Sequence, residues 1–129
     1  WRGLKTRGSQ RQIPLVGASL WAAKRIKETN SDAVYAFPRY NNTSTTNGNS
    51  ASAAINKWLK TRVPEGCVIH SFRHSVRDRL REVQCPADMI DQIGGWSTAG
   101  VGQAYGDGYN LNTLFHNMKD IQCHVSFKE

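Results

Sequence analysis

Residues 70–97, HSFRHSVRDRLREVQCPADMIDQIGGWS, hold two helical patterns back to back, and the rest of the chain is read outward from them. Phe72, Val76, Leu80 and Val83 recur at helical spacing and make one apolar stripe. Ser71 stands where an N-cap belongs, because its hydroxyl can take an amide that the first helical turn leaves unpaired. Arg73, Arg77, Arg79 and Arg81 decorate the same helix. Pro86 then opens a second helix, where its missing N–H costs nothing. Met89, Ile90 and Ile93 form its apolar side, Gly94-Gly95 closes it, and Trp96 follows directly.

Downstream, residues 97–105 read as a short helix weakened by Gly100 and Gly102, and Gly106 and Gly108 break the chain around Asp107. A last helix is expected over 110–121, with Leu111, Leu114, Phe115 and Met118 on one face. Residues 122–129 form a tail whose Val125 and Phe127 are free to pack elsewhere. Upstream, Ala51, Ala54, Ile55, Trp58 and Leu59 give an amphipathic helix stopped at Pro64-Glu65-Gly66. Residues 40–50, YNNTSTTNGNS, have no hydrophobic residue after Tyr40 and read as a mobile polar surface loop. Ala33–Phe37 is a short extended run ending at Pro38. Residues 18–29 make another helix, with Leu20, Ala23 and Ile26 on its apolar side. Residues 3–16 read as a hairpin turning at Gly8-Ser9, with Pro14 on an edge strand and Lys5, Arg7 and Arg11 displayed along it. The fold class expected is α+β, mainly α-helical with a small antiparallel sheet near the N-terminus.

The chain has 129 residues, room for one domain with one modest core. No apolar run reaches the length that spans a bilayer, and the first residues do not read as the hydrophobic region of a signal peptide, so a secretory leader is not expected. Cys67, Cys85 and Cys123 are odd in number and widely spaced, so a disulfide framework is not expected and a reducing cytoplasm is the simplest compartment. The sequons headed by Asn41 and Asn42 are read as chance matches in a polar loop. Seventeen Lys and Arg against ten Asp and Glu leave a net charge of +7, which favours a polyanionic partner through counterion release.

The residues with chemistry come in a fixed order: Lys5, then His70-Ser71-Phe72-Arg73, then Gly95-Trp96, then Tyr105. A phosphodiester under attack gathers charge on its non-bridging oxygens, and the planar fork of arginine meets two of them at once. Arg73 suits that role in the first turn of a helix, whose N-terminus also attracts anions; the plainer reading is a surface arginine. Arg77, Arg79 and Arg81 read as a solvated face. Histidine as a residue type exchanges protons near neutral pH, so His70 serves either as a donor to phosphate or as a packed helix-start residue. Cys67, His70 and His74 invite a zinc reading, but no fourth ligand stands at finger-like spacing, and neither metal nor cofactor is expected. Trp96 either donates its indole N–H into a pocket or is a core tryptophan. Tyr105 and Tyr109 are rival phenols.

In LKTRGSQRQIPL (4–15), HSFRHSVRDRL (70–80), IGGWS (93–97) and QAYGDGY (103–109) the chain resembles the tyrosine recombinases, especially bacterial prophage integrases. The resemblance covers nearly the whole chain and is specific as an ordered set. It implies the carboxy-terminal portion, residues 1–129, of a recombinase catalytic domain that begins inside a larger protein. It also implies site-specific recombination of double-stranded DNA for integration or excision of a prophage or mobile element. The family nucleophile follows the Gly-His or Gly-Trp motif by nine residues, which selects Tyr105 over Tyr109. Lys5 is then the general acid for the leaving 5′ oxygen, with Arg7 close in register; Arg7, Arg11 and Arg77 are the DNA-contacting candidates. Trp96 stands where many relatives carry histidine. The family's first catalytic arginine lies upstream of Trp1, so the chain alone is expected to be inactive or nearly so. Relatives work as tetramers on DNA in the bacterial cytoplasm, whether host- or phage-encoded, with the carboxy-terminal tail often contacting a neighbouring subunit. A catalytically degenerate DNA-binding module and a type IB topoisomerase-like activity are the alternatives.

Overall fold

The computed structural model describes Gly3, residues 9–96 and residues 108–121. Lys5, Arg7, Tyr105, the expected helix at 97–105 and the 122–129 tail lie outside the described residues. The described chain is mainly helical: α1 (Gly17–Thr29), α2 (Gly48–Leu59), α3 (Ser71–Glu82), α4 (Ala87–Gly94) and α5 (Leu111–Asp120). Each coincides within a few residues with a helix expected from the pattern of apolar side chains.

The small sheet expected at 3–16 is not seen: among the described residues of that segment, 3 and 9–16, there is no strand, and 4–8 lie outside the described residues. Local bonding fixes where α1 begins. The Val16 amide donates to Ser19 Oγ at 3.1 Å, and the Ser19 amide returns to the Val16 carbonyl at 3.1 Å, so the chain turns into α1 where a second strand would need free edge groups. Ile13 packs on the hydrophobic core without any strand pairing. Among the described residues the strand-type pairing is a single bridge between Asn41 and Thr46. It lies inside the polar segment 40–50, which is locally organised: Asn42 Oδ1 accepts from the Ser44 and Thr45 amides, both at 2.8 Å. Asn47 then caps α2, its side chain accepting from the Ser50 amide at 3.0 Å, so the helix starts earlier than its apolar stripe. The run Ala33–Phe37 bends and is not extended, and the Asn30 side chain donates to the Ala36 carbonyl at 3.2 Å.

Two compact units divide the chain, and the division falls inside α1 and α3. The first lies within Ala22–Ser75. Leu59 is its buried residue, while Ile55, Trp58 and Phe72 are exposed, so the amphipathic stripe expected for α2 is only partly covered. The second unit comprises the described parts of Arg2–Trp21 and Val76–Glu129. Its core is Leu80 from α3, Cys85, then Met89, Ile90 and Ile93 from α4, and Leu114 from α5. Val76, Val83, Met118 and Ile121 close over it.

The corner between α3 and α4 is built on an αL residue. Gln84 has φ +57°, and the Cys85 amide reaches back to the Leu80 carbonyl at 2.9 Å, the six-to-one bond that ends a helix. Glycine is the residue that usually takes this conformation, because a Cβ is penalised there. Gln84→Gly is therefore expected to raise stability by about 0.5–1 kcal/mol, the αL penalty less the added freedom of the unfolded chain. Leu80→Ala removes a fully buried side chain and should cost about 2–5 kcal/mol. Chemical denaturation of the two variants against the parent measures both.

Candidate functional site

α4 has a short apolar face and a polar edge, and the polar edge holds the residues on either side of it. Asp88 and Gln92 are four residues apart and share that edge. The Tyr109 hydroxyl donates to the Asp88 carboxylate at 2.9 and 3.1 Å. Gln92 bonds the Tyr109 backbone twice: its amide NH2 donates to the carbonyl at 2.9 Å, and its Oε1 accepts from the amide at 2.8 Å. Gly108, at φ +72°, lets the chain come this close, since a Cβ there would lie 2.8 Å from Gln92 Oε1. The bond to Asp88, with smaller contributions from burial and nearby negative charge, raises the Tyr109 pKa above the ordinary phenol value. Through these bonds Tyr109 ties its segment to α4.

The other end of α4 is held as firmly. Gly95 takes the left-handed conformation, φ +65°, and the Trp96 amide donates to the Asp91 carbonyl at 3.0 Å. The Trp96 ring folds back over Gly94, where any Cβ would collide with it. Trp96 is half-buried against the core and carries the Arg77 guanidinium 4.9 Å from its ring centroid. Arg77 also pairs with the buried Asp91 carboxylate at 3.6 Å. Its guanidinium, expected on a solvated face, is thus bracketed by a ring and a carboxylate. Arg11, expected on a hairpin facing DNA, donates from Nε to the Ile93 carbonyl at 3.0 Å and from Nη2 to the Gly94 carbonyl at 3.1 Å. A cation at the carbonyl end of a helix is favourable, and Arg11 serves here as a cap on α4.

In the first unit, the turn before α3 positions His70. The Ile69 amide donates to Asn56 Oδ1 of α2 at 2.8 Å, and the Val68 amide donates to Ser71 Oγ at 3.0 Å. Ser71 is therefore the first residue of α3, its hydroxyl turned back to the preceding turn, and the expected N-cap place falls one residue earlier. The Arg73 amide takes the His70 carbonyl at 3.0 Å, which puts Arg73 in the first turn as expected. His70 is exposed and meets His74 edge to face at 5.5 Å. Beside them an apolar cavity of about 150 Å³ has Leu59, Val63, Pro64, Val68 and Phe72 in its wall, with Cys67, Ser71 and Ser75 as its polar atoms and no charged group. Among the described residues no three His, Cys, Asp or Glu side chains gather as a metal ion would require.

The structure therefore joins Arg77 to Trp96 and His70 to His74. Sequence reasoning missed Asp88, Asp91 and Gln92; the i, i+4 pairing of Asp88 with Gln92 was the available signal. Comparison with protein-family models, curated proteins and solved structures finds no match to this chain.

A raised phenol pKa means the neutral form is favoured by the fold. That contribution is full below the ordinary phenol value and is lost as pH rises through the higher folded value. Absorbance titration of Tyr109→Phe against the parent should lose an ionisation step lying above about 10. Loss of a step at or below that value would remove the Asp88 bond from the account.

Proposed function

We propose that this chain is the carboxy-terminal part of a tyrosine recombinase catalytic domain, and that the protein breaks and rejoins double-stranded DNA at specific sites to integrate or excise a mobile element. The observation that carries the reading is the ordered set Lys5, His70-x-x-Arg73, Gly95-Trp96 and Tyr105, with Tyr105 nine residues beyond Trp96. Two features of the structure support it. Arg73 lies in the first turn of α3, where the helix dipole and the guanidinium favour the same anion. The rival phenol Tyr109 is bound to Asp88 with its pKa raised, which is the opposite of what a nucleophile needs.

In this reading the Tyr105 oxygen attacks the scissile phosphorus, and the bond to the 5′ oxygen breaks. A 3′-phosphotyrosyl link forms, the phenol proton passes to His70 as general base, and Lys5 gives the departing 5′ oxygen its proton. Arg73 and His70 stabilise the charge on the phosphoryl oxygens, and Trp96 walls the pocket. A 5′-hydroxyl of the partner strand then attacks the link and restores the phosphodiester, so no nucleotide or metal is consumed. Four protomers on two duplexes are the assembly this exchange needs, with the 122–129 tail offered to a neighbour, in the cytoplasm of a bacterium. No helix among the described residues is long and apolar enough to cross a membrane.

The test is covalent capture. The full-length recombinase that this proposal calls for is incubated with nicked duplexes of randomised core, which lose the short cleaved strand and trap the adduct. The parent and Tyr109→Phe should yield DNA–protein adducts that survive denaturation, and Tyr105→Phe none. Arg73→Ala should slow their formation about 100- to 1,000-fold, the usual worth of one preorganised donor. Adduct from Tyr105→Phe would overturn the nucleophile, and DNA binding without adduct from any form would leave a binding module.

A further inference from the structure

Positive charge is concentrated in one part of the chain. Ala22–Ser75, the first unit, carries eight Lys and Arg against three Asp and Glu, and so holds +5 of the net +7. Within it, the 32 residues 33–64 contain no acid at all. Among the described residues no carboxylate pairs with the cations there. Two of them lie over aromatic rings: Arg62 is 4.4 Å from the Trp58 ring centroid, and Arg39 is 5.6 Å from that of Tyr40.

The Trp58–Arg62 pair is built firmly. Arg62 Nη1 donates to the Trp58 carbonyl at 2.9 Å and to Thr61 Oγ1 at 3.1 Å, which fixes the guanidinium against the indole. Capping the end of α2 explains the arginine. It does not explain why an indole, the largest apolar side chain, keeps 57 % of its surface exposed at that place. Lys57 and Lys60 are exposed on the same end of α2. An exposed ring with a planar cation already on it, among positive charge that no described carboxylate answers, fits a ligand that has flat rings and a run of negative charge together. Nucleic acid has both, but a duplex hides the faces of its bases. Unpaired strands present them.

We propose that the carboxy-terminal end of α2, centred on Trp58 and Arg62, is a stacking site for single-stranded nucleic acid. One base lies on the open part of the Trp58 ring, and Arg62, Lys57 and Lys60 take the flanking phosphates. Tyr40 and Arg39 lie beyond the opposite end of α2, whose 12 residues span about 18 Å. The site is independent of Tyr105 and of any strand cleavage.

Fluorescence anisotropy with labelled oligothymidylate of about 12 nucleotides, within the usual site size for such surfaces, tests it on the chain as it stands. The same oligonucleotide paired with its complement is the second arm. Trp58→Ala should weaken single-strand binding about tenfold or more, the worth of one stacked base, and leave duplex binding and the salt slope unchanged. Arg62→Lys keeps the charge and drops the planar group; it should lose several-fold on the single strand at the same salt slope. Helix content by circular dichroism should match the parent in both variants, since Trp58 and Arg62 are exposed. Unchanged single-strand binding by folded Trp58→Ala, equal losses on both DNAs, or no binding of oligothymidylate by the parent would each overturn the proposal.

Discussion

The burial of one short helix organises the second unit. α4 has eight residues, too few to stand alone in water, and it persists because Met89, Ile90 and Ile93 are packed against Leu80 and Leu114. Each such side chain contributes about 1.5–3 kcal/mol when fully removed from water. With its apolar face so held, the polar edge of α4 has fixed bearings. Asp88 and Gln92 hold Tyr109, the Asp91 carboxylate meets Arg77, and the terminal carbonyls take Arg11 and the Trp96 amide. The residues on both sides of 97–107 are thus tied to the same helix, so a Tyr105 nucleophile would have anchored chain before and after it.

That arrangement bears on which of two phenols four residues apart is available for chemistry. Nothing in the local sequence makes Tyr105 more acidic than Tyr109. A carboxylate brought from α4 accepts the Tyr109 hydroxyl's hydrogen bond and makes its proton harder to remove. Asp88 restrains this phenol, and Gln92 does the same for its backbone.

The helices were legible because their apolar residues keep a period near 3.6, and this holds for the Leu80 and Met89–Ile93 stripes that are buried. Phe72 belongs to the same sequence stripe yet is exposed, because periodicity selects a face and not what covers it. Residues 10–16 were illegible for a related reason: short apolar runs beside turn residues fit a strand or an irregular segment equally, and these residues are irregular. At the site, Arg73 in the first turn of α3 followed from the sequence. The tasks of Arg11 and Arg77 did not, since Ile93 lies 82 residues from Arg11 and Asp91 lies 14 from Arg77. A sequence shows a guanidinium but not the carbonyl or ring it will meet.

The most direct measurement is the chemical identity of the linked residue. After exposure of the longer protein to cleavable DNA, nuclease trimming and trypsin leave the peptide 82–119, which contains both Tyr105 and Tyr109. Tandem mass spectrometry of that peptide should place a 3′-linked nucleotide phosphate on Tyr105, with a free 5′-hydroxyl on the other product strand. The phosphate on Tyr109, or a 5′-linked nucleotide on either phenol, would contradict the account.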